Sequence, residues 1–308
     1  MQKSKVLVSG ATGWLGREIL NIFAETNFEK VEINLISSKN GEVFIKGNKL
    51  EVKSFKDYKS IEPVDSYFDF AFLGMNKLEK IGAENFKRIN MEIITESTNL
   101  IKTICPKTVV LSSSGAIYNI KKSTKGGVIY SDLKKIQEEL IAKACNTSGS
   151  NLIISRIFNL AGRSIPRESD FALVDFMIKS IENMDLKINS NHLVVRRYSD
   201  VTQLLKLLVE MANRGENCVF DSGGAKIELR DLASKIIKVV NSKSKIVAPE
   251  IDFETEQDYY FSDSHSYEKL LTKIMGEESI AIENQIQNTK NSLLHIIDGT
   301  FQNSFGQK

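Results

Sequence analysis

The chain is poor in cysteine and histidine, has no long apolar run and carries almost no net charge. Its three cysteines, Cys105, Cys145 and Cys218, lie far apart in a sequence of 308 residues. They form neither a disulfide framework nor a metal-ligand spacing, and they suit a reducing compartment. His192, His265 and His295 are scattered and read as ordinary surface or loop residues, so no metal is expected. No apolar run is long enough to cross a bilayer, and Met1-Gln2-Lys3-Ser4-Lys5 leads into Val6-Leu7-Val8 without a secretory apolar region. A soluble cytoplasmic protein is the expectation. Lys plus Arg (41) against Asp plus Glu (39) leaves +2, which gives no electrostatic reason to invoke nucleic acid or an anionic membrane.

What is present is an ordinary globular composition, 42% hydrophobic and 26% charged. The length fits one large α/β domain or a domain with a smaller lobe. The first half alternates short apolar runs with helix-period segments, the mark of βαβ units and a parallel sheet. Strands are predicted at 5–9, 32–36, 51–52, 68–73, 108–112 and 151–156, nearly continuous in apolar character as strands buried on both faces are. Leu15, Ile19, Ile22 and Phe23 lie at helical spacing, as do Leu133, Ile136, Leu140 and Ala144. The pattern predicts an α/β, Rossmann-type doubly wound sheet that binds its ligand at the carboxyl ends of the strands.

After about residue 160 the pattern loosens. A strand region is expected at 186–198, helices at 201–212 and 230–240, and a short strand at 218–220. The acidic, aromatic segment 249–267 has no clear period, and from about Ile297 a loose tail is expected. The division predicted is a dinucleotide-binding domain over 1–160, with returning elements at about 187–220, and a smaller, interleaved substrate lobe over 161–308.

The strongest local signal is Gly10-Ala11-Thr12-Gly13-Trp14-Leu15-Gly16, placed after a first strand and before a helix. Gly10 permits the tight turn, Gly13 lets the backbone approach a pyrophosphate, and Gly16 lets helix and strand pack closely. The pyrophosphate then sits on the helix N-terminus, with its free N–H groups and positive dipole end. After the second strand the segment Ser37-Ser38-Lys39-Asn40 holds no acid to take adenosine ribose hydroxyls. Ser37, Ser38 and Lys39 can together hold a 2′-phosphate, which favours NADP(H) over NAD(H). Lys39 as a plain solvated lysine remains the other reading.

Tyr130 and Lys134, one helical turn apart, lie on one face of a predicted helix. A free tyrosine titrates near pH 10. A nearby ammonium stabilises the phenolate and brings it into the working range, and the same lysine can reach a nicotinamide ribose. Alone the pair is weak, because most such spacings are surface helix turns. It is sharpened by Val109-Val110-Leu111-Ser112-Ser113-Ser114, a strand ending in three hydroxyls where the sheet presents its ligands.

Taken in order, the glycine turn, the serine strand end, Tyr130-x-x-x-Lys134 and Arg156-Ile157-Phe158-Asn159 resemble the extended short-chain dehydrogenases/reductases. This is the NAD-dependent epimerase/dehydratase family, which acts mostly on nucleotide sugars. Asn90, Arg196-Arg197-Tyr198-Ser199-Asp200-Val201 and Phe220-Asp221-Ser222-Gly223-Gly224 extend the resemblance over about residues 5–240. It implies that Gly10, Thr12, Gly13, Trp14, Leu15 and Gly16 cradle the cofactor diphosphate. It adds Leu73, Gly74, Met75, Asn90, Ser112 and Phe158 to the cofactor site. Ser114 is implied to polarise the sugar carbonyl or hydroxyl, Tyr130 to be the general acid/base, and Lys134 to lower its pKa and hold ribose. Asn159 and Arg197 are implied to face the substrate, Arg197 on its diphosphate.

Departures from the family pattern narrow the reaction. Gly115 and Ala116 stand where the dehydratase branch carries an acidic pair, and where the epimerase-reductase branch carries cysteine stands Ala116. Only sixteen positions separate Ser114 from Tyr130, and 249–267 lacks the family's late arginine. The favoured expectation is an NADPH-dependent reductase of a 4-keto nucleotide sugar, a carbohydrate-biosynthesis activity. A 4-epimerase with retained NAD is the near alternative, and a non-catalytic dinucleotide sensor or scaffold is the alternative of another class. The resemblance also implies a homodimer through helices 86–104 and 131–146, unless Ile93, Leu100, Leu133 and Leu140 are spent on the sheet.

Overall fold

The computed structural model describes residues 3–26, 30–60, 62–118, 124–167, 171–263 and 265–297. In chain order the elements are β1 (Ser4–Ser9), α1 (Trp14–Thr26), β2 (Val31–Ser37), β3 (Gly41–Ile45), β4 (Asn48–Ser54), β5 (Ser66–Asp69), α2 (Leu78–Ile81), α3 (Ala83–Ile104), β6 (Thr108–Ser114), α4 (Lys125–Ser148) and β7 (Asn151–Ile157). There follow β8 (Asn159–Ala161), α5 (Ala172–Ile181), β9 (Leu186–Lys187), β10 (Val194–Asp200), α6 (Val201–Asn213), β11 (Cys218–Asp221), β12 (Ala225–Glu228) and α7 (Leu229–Val240). The last are β13 (Ile246–Val247), β14 (Asp258–Tyr260), α8 (His265–Met275) and α9 (Ile282–Ile297).

Two compact units result. The first holds the chain through Ile157 together with Leu205–Phe220; the second holds Phe158–Leu204 and the described chain from Asp221. The expected return at about 187–220 is therefore narrower. Residues 187–204 belong to the second unit, where β10 is the centre of a separate sheet.

The first unit is a sheet in the order β11-β7-β6-β5-β1-β2-β4-β3. From β7 through β4 the strands run parallel, and β3 returns antiparallel on β4. The chain steps outward from β1 in one direction and then restarts at β5, so the strand order reverses between β1 and β5. A doubly wound sheet opens its ligand crevice at such a point. Neighbouring side chains of β5 show that both faces are covered: Tyr67 joins Leu7, Leu100, Val109 and Ile141 in one core, and Phe68 turns the opposite way to meet Phe23 of α1, centroids 6.1 Å apart. In the helix pair α3 and α4, Leu100 and Leu133 are buried within the chain, whereas Ile93 and Leu140 are half-buried.

Two strands differ from expectation. The hairpin β3–β4 replaces the short strand predicted at 51–52; Lys46 and Gly47 turn it with φ of 47° and 81°, the positive pair that a tight hairpin needs. β5 begins and ends earlier than predicted, stopping at Asp69. The reason is a change of acceptor: the Ser9 hydroxyl accepts from the amides of Phe70 and Ala71, at 3.1 Å each, and Asn90 Oδ1 accepts from Leu73 at 2.8 Å. Side chains thus replace the ladder.

In the second unit β12, β10 and β14 form one sheet, with β8 also on β10, and β13 pairs with β9. The region expected as one strand at 186–198 is divided between β9 and β10, and the aperiodic stretch 249–267 yields β14 and the start of α8. Residues 298–308, and with them most of the expected tail, lie outside the described residues. Among the described residues no helix is long and apolar enough to cross a membrane.

Candidate active site

The glycine turn leaves β1 at the switch point. Gly10 has φ +67°, and a Cβ there would lie 2.7 Å from the Phe70 carbonyl carbon and oxygen. The end of β5 is packed directly on the turn, so any side chain is excluded. At Gly16 a Cβ would collide with the Gly10 carbonyl and stand 2.6 Å from Ala11 Cα, which fixes the close approach of α1 to the turn. Gly13 differs. Its missing Cβ meets only the Gly10 oxygen, at 3.3 Å, so packing within the chain does not demand glycine there. A backbone left bare beside the first-turn amides of a helix fits a diphosphate.

At the end of β2 the Ser37 hydroxyl donates to the Lys39 carbonyl at 2.7 Å and accepts from its amide at 3.3 Å, closing a local turn. These two bonds hold the Ser37 hydroxyl against its own loop. Ser38 and Lys39 are exposed.

The predicted acid–base residues come from β6 and α4. Thr124 caps α4, its hydroxyl accepting from Gly127 at 3.3 Å, and sets the helix start ahead of Tyr130. Lys134 is almost fully buried; its Nζ donates to the Ser112 carbonyl and to Gln137 Oε1, each at 2.9 Å. The ammonium also lies over the Phe72 ring, 3.8 Å from its centroid. Tyr130 meets the same ring nearly at a right angle, centroids 5.6 Å apart. Burial pushes the Lys134 ammonium down to about 7, against the opposing pull of Asp69 and Glu138. Two of its three donors are thus engaged within the chain.

Asp69 ends β5 and is fully buried. It accepts from Ser9 at 2.7 Å and Ser97 at 2.6 Å, and burial raises its carboxyl above the ordinary range. Ser112 Oγ donates to the Asp69 carbonyl at 3.3 Å, which spends that hydroxyl between strands. The three serines of β6 divide by alternation. Ser113 donates to Glu138 at 2.5 Å, and Ser114 Oγ accepts from Ala116 N at 3.2 Å, which leaves its proton available. Glu138 in turn accepts twice from Arg156, at 3.0 and 2.8 Å, and Arg156 donates to the Tyr118 hydroxyl. The bonds to Glu138, and with them the one to Tyr118, hold Arg156 above its usual value against the effect of burial.

Asn90 is fully buried; its Oδ1 takes Leu73 N and anchors the chain after β5, while its Nδ2 is buried with no partner among the described residues. Leu73, Gly74 and Met75 follow the end of β5; Gly74 leads a single turn of 3-10 helix, and Met75 is exposed. Phe158 belongs to the second unit, where its ring meets Tyr260 at a tilt of 53°, centroids 5.0 Å apart. In that unit Asn159 Nδ2 donates to the Arg197 carbonyl at 3.3 Å, and Arg197 donates to Gly224 O at 2.8 Å. The Arg197 guanidinium lies 5.8 Å from the Phe261 ring, and burial lowers its pKa. His265 is exposed and His192 half-buried, and the side chain of His295 is outside the described residues.

Phe72, Gln137, Glu138 and Asp69 were not singled out in the sequence. Glu138 had a signal, one turn beyond Lys134 on the same helix face; Phe72 had none, since its role depends on where β5 stops.

The switch-point glycine turn and the buried lysine beside a tyrosine define a Rossmann-type, dinucleotide-binding class of protein. The sequence matches the NAD dependent epimerase/dehydratase family over residues 6–220, and the chain belongs to that family. No curated protein sequence matches it. Among solved structures, UDP-N-acetylglucosamine 4-epimerase from Methanobrevibacter ruminantium M1, in complex with UDP-N-acetylmuramic acid, superposes with a TM-score of 0.76 at 16% identity, covering 96% of this chain and 100% of that one. UDP-glucose 4-epimerase from Thermus thermophilus, in complex with NAD, gives 0.71 at 13% identity over 94% and 99%. An NAD-dependent NDP-hexosamine 5,6-dehydratase involved in tunicamycin biosynthesis gives 0.72 at 17% over 95% and 98%. At these identities the likeness is one of fold.

Proposed function

We propose that the protein is an NADP(H)-dependent reductase of a keto group, at C4, on a nucleotide-linked sugar. The observation that carries the reading is the buried Lys134 sharing one aromatic ring with Tyr130 beside the serine end of β6. Gly10, Thr12, Gly13, Trp14, Leu15 and Gly16 would hold the cofactor diphosphate. When bound, the cofactor supplies hydride to the carbonyl carbon. Ser114 orients the carbonyl by donating its free proton, and Tyr130 delivers a proton to the same oxygen. The Lys134 charge favours the phenolate left behind. Asn159 and Arg197 are assigned to the substrate, Arg197 to its diphosphate. A homodimer through α3 and α4 belongs to the same proposal.

The absence of a carboxylate after β2 favours NADP(H), with Ser37, Ser38 and Lys39 as phosphate partners. Gly115 and Ala116 offer no acid or base after Ser114 for eliminating water. A second reading, a 4-epimerase that retains NAD, is favoured by the whole-length fold likeness to two 4-epimerases. Mass spectrometry of the nucleotide released on denaturing fresh protein separates the two. Stoichiometric NAD selects the epimerase; NADP, or an empty protein that prefers NADPH to NADH, selects the reductase. Tyr130→Phe should then abolish turnover of the true substrate, and unchanged turnover would remove Tyr130 from the mechanism.

A further inference from the structure

An ammonium has three N–H donors. Two of those of Lys134 go to the Ser112 carbonyl and Gln137 Oε1, and the remaining side of the group faces the Phe72 ring at 3.8 Å. A cation in this position is held by the ring quadrupole, more strongly where water is excluded. The backbone on either side of Phe72 is clamped. Ser9, itself fixed by Asp69, takes the amides of Phe70 and Ala71, and Asn90 takes the amide of Leu73. The end of β5 rests on Gly10, so the clamp is part of the glycine turn's own packing. Only rotation of the Phe72 side chain can move the ring.

We propose that Phe72 is a positioning residue of the Tyr130–Lys134 pair: its ring holds the lysine donor that a cofactor ribose hydroxyl would need, and that hydroxyl reaches Lys134 only when the ring turns aside. The inference rests on the dinucleotide-binding reading above. It makes Phe72 a competitor of the second ribose, and part of the binding energy of the cofactor is spent on displacing it.

The test compares the wild-type protein with Phe72→Ala and Phe72→Tyr. Dissociation constants are measured for NADPH, NADH, and the adenosine half alone, as ADP and its 2′-phosphorylated form, which carry no second ribose. Phe72→Ala should tighten the preferred dinucleotide by about tenfold, the worth of a charge-assisted hydrogen bond regained. It should leave the adenosine half unchanged, and Phe72→Tyr, which keeps the ring face, should bind as the wild type does. Equal or weaker dinucleotide binding by Phe72→Ala overturns the proposal, as does a parallel change in both ligands, which would be a general effect on structure. Failure of the wild type and every variant to bind any dinucleotide brings down the reading beneath it, and this inference with it. Should Phe72→Ala not fold, para-fluorophenylalanine at position 72 gives a second measurement. Its fluorine resonance should move on adding dinucleotide and not on adding ADP, and a resonance that stays fixed overturns the proposal.

Discussion

Lys134 and Phe72 meet as ammonium and ring face, 3.8 Å apart, at the carboxyl edge of the sheet. The contact joins α4, started by its Thr124 cap, to the segment after β5, held separately by the Ser9 and Asn90 clamps. It also removes the lysine from water, and the properties of the site follow from that burial.

Turnover should fall with rising pH. Burial brings Lys134 to about 7, so its charge is present below that pH and lost above it. If the charge assists Tyr130, kcat/KM decreases as pH rises through about 7. Lys134→Met should lower kcat by about a hundredfold and abolish that limb of the profile. A wild-type rate that climbs through this range would show that the lysine works uncharged.

The same group makes folding stability depend on pH with a definite sign. The unfolded chain carries this lysine near 10.5, the folded chain near 7. Between those values the unfolded state binds more protons, so stability from this group rises with pH across the window. Urea midpoints measured at several pH values from 7 to 10 should rise more steeply for the wild type than for Lys134→Met.

Asp69 is the charge that opposes the burial of Lys134 most strongly. Asp69→Asn removes it, so the lysine should titrate lower and the alkaline limb of the rate profile should move to lower pH. The substitution also leaves Ser9 and Ser97 with a poorer acceptor, at a cost of about 2 kcal/mol. Proton titration of the wild type and variant by lysine-selective NMR would check the direction, and an upward shift would contradict it.

The sheet and the glycine turn were legible because each depends on neighbours in sequence. Apolar runs make the strands, and Gly10, Gly13 and Gly16 stand within one strand–helix junction. Tyr130 and Lys134 were legible for the same reason, one turn apart on one helix. Phe72 was not. The period of β5 continues through Leu73, and only the hydroxyl of Ser9, distant in sequence, ends the strand early. The structural part of Asn90 was hidden likewise: nothing near it in sequence shows that its side-chain oxygen takes the amide of Leu73.

Glu138 and Arg156 should couple strongly. Their side chains are 12% and 23% exposed, and the carboxylate also accepts from Ser113. Removing either partner leaves the other charge half-buried, so Glu138→Leu or Arg156→Met alone should cost about 2–3 kcal/mol. The double variant should cost less than the sum by about 1–2 kcal/mol. Additive losses in chemical denaturation would mean that the pair is only a packing contact.

Gly10 and Gly13 should separate folding from binding. Gly10→Ala forces a side chain into a left-handed backbone position and against the Phe70 carbonyl, so it should cost about 3 kcal/mol or more in thermal or chemical denaturation. At Gly13 the new methyl meets only the Gly10 oxygen at 3.3 Å, a contact that a small shift relieves, so stability should change by less than about 1 kcal/mol. The same methyl would stand where a diphosphate has to approach the backbone, and dinucleotide affinity should drop by at least about tenfold. Calorimetry of both variants with NADPH and NADH decides the matter. Undiminished binding by Gly13→Ala would mean that the turn's glycines serve the packing of β5 and α1, and that the phosphates sit elsewhere.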